Sequence, residues 1–364
     1  MNPCGKLILA SALFLSLSVG ATSADLEVSE KDLPRVPPTE PNKTLATFQI
    51  KKGFRLELVA AEPLVVDPIA MSFDEDGQLF VVEMRDYSER RPERLGRIRR
   101  LEDTDSDGHF DKSTVYVDNL PWPTAVFCYG GGVFVGATPD ILYCKDTDGD
   151  GVADVREVVF TGFASDYAPY ETNRLNVQAL MNSFSWGLDN RIHGSASMSG
   201  GKVHLGENPF VHEWLRNASK GSPSPGGEGP GEGEPRSSRS GSSNSPVDLR
   251  GHDFSFDPRT LDLRAESGGA QHGMSFDSRG RKFVCSNSDH IQLVMFEDRY
   301  ASRNPFFAIP SARVSIAADG PAAEVFRISP DEPWRVIRTR WRVAGLVPGP
   351  PGRRVAVSSS LRRA

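Results

Sequence analysis

Cysteine is scarce in this chain, with four in 364 residues, at positions 4, 128, 144 and 285. That excludes a disulfide-dense scaffold. Cys4 sits inside an N-terminal leader and follows no small-residue lipobox, which argues against lipidation. The three that remain allow one internal disulfide at most, with one thiol left over. Cys128 and Cys144 could pair, or each could be filler in an alternating strand, and both readings stay open. No Cys-x-x-Cys-His string occurs, so covalent haem has no attachment point in this polypeptide. Basic charge is also short: 42 Lys and Arg stand against 48 Asp and Glu, a formal net charge of −6. With no basic patch in the body of the chain, nucleic acid is excluded as a partner class. Long apolar runs are missing too. The run from Leu7 to Val19 is too short to span a bilayer, and no other segment competes with it, so no transmembrane span is expected.

That run has its own meaning. Lys6 precedes it and the small residues Ala21 to Ala24 follow it, so residues 1–24 read as a secretory signal cleaved after Ala24. The mature chain is expected outside the cytoplasm, periplasmic or extracellular.

What the chain does have is an acidic turn that occurs twice. Asp103-Thr-Asp105-Ser-Asp107-Gly108-His-Phe-Asp111 is repeated 43 residues later as Asp146-Thr-Asp148-Gly-Asp150-Gly151-Val-Ala-Asp154. Ile98 to Leu101 and Ser113 to Val117 flank the first copy, and Ile141 to Cys144 and Val158 to Phe160 flank the second. Alternating and β-branched residues make these flanks strands. Carboxylates at the first, third and fifth places, with Gly at the sixth for a sharp bend, converge hard oxygen ligands as calcium requires. Glu157 stands at the twelfth place of the second copy and completes the EF-hand spacing, whereas Thr114 stands there in the first. The strand flanks make these calcium-binding hairpin turns rather than EF-hands. The plainer alternative is a pair of solvated Asp-Gly turns.

A second pattern underlies the first. Phe73 to Val82, Phe127 to Val135, a stretch around Asp189 to Gly194, and Phe276 to Val284 each read as strand, tight turn, strand, with the turns at Gly77, Gly131, Asn190 and Gly280. The steps between these turns are 54, 59 and 90 residues, and the last contains a low-complexity insert of about thirty residues. Short strands and Gly turns at that period predict an all-β β-propeller with four-stranded blades. The propeller domain is read as 45–345. Residues 218–246 are a disordered low-complexity insertion within it, rich in Ser, Pro and Gly. Partial strands are expected at Phe54–Val59 and Ala323–Ile328, and Trp334 to Arg342 reads as a further strand. Residues 346–364 form an irregular basic tail. Eight arginines and no acid follow Glu332, which suits an anion-binding tail or a truncated or out-of-frame end. The last blade is accordingly expected to be incomplete.

Several strings carry a resemblance: Lys51-Lys-Gly-Phe54, Glu83-Met-Arg85-Asp86-Tyr87, Gly96-Arg-Ile-Arg-Arg-Leu101, Val247-Asp-Leu-Arg-Gly251 and Gln271-His272-Gly-Met-Ser-Phe276. Together, over about 45–212 and 247–345, they resemble the N-terminal propeller of proteins named as membrane-bound dehydrogenases in planctomycete-type bacteria, also described as PVC-type haem-binding CxxCH proteins. That family is similar to the soluble glucose and sorbosone dehydrogenases. The resemblance implies a six-bladed propeller, pyrroloquinoline quinone and calcium as cofactors, a sugar or alcohol substrate, and a cytochrome c-type electron acceptor. Those enzymes place a His just before the third-blade strand as the general base for hydride transfer to the quinone. The matching stretch here, Asn173 to Gly187, contains no His.

In a propeller the inner ends of the blade strands face a central channel. The candidates there are His272 as base, and Glu83, Arg85, Asp86, Arg174 and Asn176 as cofactor-binding residues, with Gln271 beside them. Glu83 and Arg85 could equally be structural ion pairs. His193 falls where the other repeats have Phe80, Phe134 and Phe283, and reads as a packed core residue. The metal candidates are Asp103, Asp105, Asp107, Asp111, Asp146, Asp148, Asp150, Asp154 and Glu157. Whether the chain is an enzyme stays open. One reading is a dehydrogenase-like propeller oxidising sugars or alcohols with a quinone. A second is a non-catalytic, calcium-stabilised propeller that binds carbohydrate or protein. A third, a lactonase-like hydrolase using Glu83, Asn173 and Asn176, ranks last.

Overall fold

The computed structural model describes residues 39–87, 90–168, 175–220, 245–269, 271–287, 289–318 and 320–321. The leader, Asn173 and Arg174, most of the low-complexity insertion, the strands expected at Ala323–Ile328 and Trp334–Arg342, and the basic tail lie outside them.

Each predicted hairpin turn places its turn residue in the left-handed region. The φ values are +81° at Gly77, +73° at Gly131, +58° at Asn190 and +73° at Gly280. Glycine and asparagine tolerate that region best, which is why these four positions end one strand and start the next. The first turn joins β1 (Pro68–Phe73) to β2 (Leu79–Glu83), and β3 (Gly96–Glu102) and β4 (Lys112–Leu120) complete an antiparallel sheet in the order β1-β2-β3-β4. The second joins β5 (Ala125–Tyr129) to β6 (Gly132–Ala137), followed by β7 (Asp140–Lys145) and β8 (Val155–Phe163). The third joins β9 (Asn182–Trp186) to β10 (Ile192–Ser195). The fourth joins β15 (His272–Phe276) to β16 (Lys282–Ser286), followed by β17 (Asp289–Val294) and β18 (Arg313–Ser315). The acidic turns fall between β3 and β4 and between β7 and β8, on the outer hairpins.

The first strands of successive sheets lie side by side: β1 against β5, β5 against β9, and β9 against β15. Four-stranded meanders arranged with their first strands inward are propeller blades. Four blades are thus described. The chain is all-β with few helices, and these described residues belong to the compact unit Glu40–Glu324.

Three features depart from the sequence reading. After β10 the chain leaves the third blade, and β11 (Gly201–Leu205) pairs with β8 while β12 (Val247–Asp248) pairs with β11, giving the second blade six strands. The third blade resumes with β13 (Asp253–Phe256) and β14 (Leu263–Glu266). The excursion also carries a helix, Pro209–Lys220, that runs into the start of the stretch read as low complexity. Asn208 Oδ1 accepts the Val211 N–H at 2.9 Å at its N-terminus, with Pro209 as first helical residue. Phe54–Val59 is not among the strands of the described residues.

Blade-to-blade packing supplies the core. Phe80, Val82, Ile98 and Val117 of the first blade share a buried cluster with Val126, Val133 and Val135 of the second. Phe134 and Phe160 of the second meet Phe254 and Phe256 of the third, with Phe134 and Phe256 rings edge to face at 5.0 Å. Fully burying each such side chain contributes about 1.5–3 kcal/mol. His193 is 7% exposed. From β10 it pairs with Ser185 of β9, packs its ring against Phe276 at 5.0 Å and meets Asp189 Oδ1 at 3.0 Å. Burial lowers its pKa despite Asp189, so it is a packed residue of the blade interface.

Candidate functional site

The inner strands converge at their starting ends on a cavity of about 580 Å³. Residues of β1, β9 and β15 line it, with Thr124 just ahead of β5, so it lies at the mouth of the channel. Among the described residues its polar lining is uncharged but for one imidazole. Gln178, Asn182, Gln271 and Asn287 supply carboxamides, Tyr87, Thr124 and Ser183 supply hydroxyls, and His272 supplies the ring. Ile69, Met84 and Val177 add apolar wall.

Gln178 ties this rim together. It lies in a short turn, Val177–Ala179, that Asn176 caps by accepting the Gln178 N–H at 3.0 Å. Its side-chain Nε2 donates to Tyr87 Oη at 3.0 Å, which links the turn to the first blade. Its backbone oxygen accepts from Gln271 Nε2 at 3.3 Å and from His272 Nε2 at 2.9 Å, which links it to the fourth. A carbonyl can only accept, so His272 donates to it from Nε2. Asn182 holds the floor, donating to Leu180 O and Gln271 O and accepting from Ser183 Oγ and Gly273 N–H. It anchors the backbone, whereas Gln178 Oε1 and Gln271 Oε1 take no part in these bonds.

The other candidates fall elsewhere. Glu83 is fully buried. It accepts the Val66 N–H at 2.7 Å, is paired tightly with Arg97, and lies 3.5 Å from Arg99. It forms a buried ion pair and is not among the residues lining the mouth. Arg85 does not line the mouth, and its carbonyl accepts from Arg90 at 2.7 Å. Asp86 is fully buried and, among the described residues, neither carboxylate oxygen meets a hydrogen-bond partner. Burial raises its pKa, against the nearby amides of Asp86, Trp122 and Leu95 and the charge of Arg90. Arg174 lies outside the described residues.

In the acidic turns, oxygens of Asp103, Asp105 and Asp107 lie within 4.8 Å of one another, as do oxygens of Asp146, Asp148 and Asp154. Asp146 accepts the N–H groups of Gly149 and Gly151, each at 2.7 Å. Against a desolvation contribution, these bonds and Arg100 hold its carboxyl below the usual range. Asp111 is gripped by the Thr104 hydroxyl and N–H, which lower its pKa in the same way. Asp111, Asp150 and Glu157 stand outside the two groups. Glu157 is already on β8, opposite Tyr143 of β7, so the twelfth-place spacing does not bring it to the turn. The described cysteines 128, 144 and 285 are free, so no bridge joins Cys128 to Cys144.

Sequence reading reached Gln271 and His272 but missed Tyr87, Thr124, Gln178, Asn182, Ser183 and Asn287. Asn182 begins an inner strand, as His272 does, and Thr124 immediately precedes one, and that position was their one legible signal. Among the described residues no helix is long and apolar enough to cross a membrane.

A family model described as "Domain of unknown function (DUF7133)" matches residues 40–220 and 228–356. No curated protein matches the chain in sequence. Among solved structures, the chain is similar to the holo form of the pyranose dehydrogenase PQQ domain from Coprinopsis cinerea, at 13% identity and a TM-score of 0.38, over 66% of this chain and 47% of that one. It is similar to the PQQ-bound aldose sugar dehydrogenase from Streptomyces coelicolor at 14% identity and 0.34, over 65% and 61%. It is similar to the calcium structure of a Trichoderma reesei carbohydrate-active enzyme of family AA12 at 16% identity and 0.27, over 40% and 36%. The chain spans less than two thirds of the length of each of these proteins.

Proposed function

The chain belongs to the DUF7133 family, and we propose that it is an exported, dehydrogenase-like propeller whose channel mouth binds an uncharged polyhydroxylated molecule, a sugar or sugar alcohol. The observation that carries this is the described lining: four carboxamides, three hydroxyls and one imidazole beside an apolar wall. Amides and hydroxyls donate and accept at once, which matches vicinal hydroxyls. An uncharged lining gives little to a charged ligand, because leaving a charge desolvated without a partner is costly. Calcium held by the acidic turns would stiffen the outer hairpins without touching the mouth.

Pyrroloquinoline quinone carries three carboxylates, and charge-assisted bonds from Arg or Lys are the strong partners for such groups. The described lining contains neither, so it does not fit that trianion, and no step is derived through it. One observation favours the quinone-dependent reading that the sequence resemblance implied. His272 lines the mouth and supplies the one imidazole among the described lining residues, the kind of group that could accept a hydroxyl proton.

Calorimetric titration of the purified chain with hexoses, pentoses and polyols tests the binding reading, with Gln178→Leu and Gln271→Leu as comparisons. Saturable binding that both variants weaken supports it. Binding that neither variant changes refutes it. Reduction of an acceptor dye that requires added quinone and is lost in His272→Ala would replace it with the dehydrogenase.

A further inference from the structure

The inner strands do not end at the mouth. Ile69 and Ala70 of β1 border it, and the next residues, Met71 and Ser72, border a second cavity of about 380 Å³. β9 passes in the same way from Asn182 and Ser183 to Phe184, Ser185 and Trp186, and β15 from His272 and Gly273 to Ser275 and Phe276. β5, which Thr124 leads into from the mouth, gives Val126 and Phe127. A strand advances roughly 3.3 Å per residue, so the second cavity begins about 3–7 Å beyond the first. The two follow one another along the same strands.

Their chemistry differs. The mouth presents carboxamides and hydroxyls, whereas the described lining of the second cavity has no carboxamide and no charged side chain. Its walls are Met71, Val126, Phe127, Phe184, Trp186 and Phe276. The Trp186 ring lies nearly parallel to that of Phe127, with centroids 6.0 Å and planes 15° apart, and to that of Tyr129 at 6.2 Å and 17°, which makes one side flat. The polar groups are three serines, and the Ser72 hydroxyl oxygen already accepts the Cys128 N–H at 3.2 Å. Met71 is 68% exposed and Trp186 42%, so this apolar surface is open rather than packed. Removing such surface from water is favourable. A volume of about 380 Å³ also falls within the range of small-molecule sites, roughly 300–1,000 Å³.

We infer that the ligand of this channel is an amphipathic glycoside, with its sugar in the mouth and an apolar aglycone, alkyl or aryl, against Met71, Phe127 and Trp186. The inference rests on the reading of the mouth as a sugar site and adds what the sugar is attached to. A second sugar ring is the poorer occupant of the inner cavity. Its hydroxyls would exchange water for a wall with few donors and acceptors, and an unpaired polar group is costly to bury. Alkyl carbons carry no such cost, and each buried methylene contributes a factor of about four in affinity.

Calorimetric titration of the purified chain with methyl, hexyl and phenyl glucosides, galactosides, mannosides and xylosides, and with cellobiose and lactose, tests this. For the sugar that binds, the hexyl and phenyl glycosides should bind about tenfold or more tighter than the methyl glycoside. In Trp186→Gln and in Met71→Gln that ratio should fall towards one. Met71 is 68% exposed, so its variant carries the comparison if the tryptophan variant does not fold. Equal affinity for methyl and hexyl glycosides overturns the inference and leaves the sugar reading of the mouth standing. A hexyl gain that survives both substitutions also overturns it, since the tail then lies elsewhere, and so does a disaccharide that binds more tightly than the hexyl glycoside. Absence of binding by every glycoside refutes the sugar reading itself, and the inference with it.

Discussion

Glu83 separates two accounts of the strand-end residues, and replacing it gives a measurable answer. The carboxylate is fully buried and holds three partners: Arg97, Arg99 at 3.5 Å, and the Val66 N–H at 2.7 Å. The Arg97 and Arg99 side chains are only 17% and 15% exposed, so solvent cannot fully rescue them if the acid is removed. Breaking a buried ion pair from one side costs about 3–5 kcal/mol, because the surviving charge is left without compensation. Glu83→Ala should therefore lose about that much, and Glu83→Gln less, since its amide oxygen still accepts from Val66. In a domain of this size the alanine loss corresponds to a melting temperature lower by roughly 5–15 °C. Thermal and urea unfolding followed by tryptophan fluorescence reads it, alongside sugar titration of the folded variant. A change within a degree or two together with lost ligand binding would refute the structural assignment and return Glu83 to the site.

Asp86 should behave in the opposite sense. Burial raises its folded pKa above that of an ordinary aspartate, so the folded state binds the proton more tightly than the unfolded state. Stability is then full below pH 3.8 and is lost as pH rises through the folded pKa. Asp86→Asn should gain about 1–3 kcal/mol at pH 7, the scale of an unsatisfied buried polar group. That gain should vanish on acidification in paired urea titrations, and a gain independent of pH would contradict the cause. Calcium should raise the melting temperature of the wild type, by about 2.7 kcal/mol of stability at a hundredfold excess over Kd. Asp146→Asn with Asp148→Asn should remove most of that rise, and an unchanged rise would place the ion elsewhere. Trp214 packs against Tyr143 at 4.9 Å and donates to Pro258 O at 3.1 Å. Trp214→Ala should cost about 3–5 kcal/mol in urea unfolding without changing sugar affinity, because its helix is remote from the mouth.

The four inner hairpins were legible because their turns demand a positive φ at Gly77, Gly131, Asn190 and Gly280, a requirement that is local and written in residue type. The acidic turns were legible for the same reason. The route of β11 was not, since Gly201 to Leu205 carries only a short alternation and its choice of β8 over β10 is decided by distant packing. Glu83 was legible as a candidate but not as an ion pair, because sequence does not show which of the arginines between 97 and 100 share its face. The mouth was half legible. His272 stands out as a titratable group before an apolar strand, whereas Gln178 and Asn287 look like ordinary loop amides until the fold gathers them.

The central claim is that the channel mouth recognises an uncharged polyol through the carboxamides of Gln178 and Gln271. Titration of the calcium-loaded wild-type chain and of Gln178→Leu with Gln271→Leu against a sugar and polyol panel tests it most directly. The account predicts saturable binding by at least one neutral sugar, weakened about tenfold or more, roughly 1.4 kcal/mol, in the double variant. Equal affinity in both proteins, or binding only of carboxylated ligands, would contradict it.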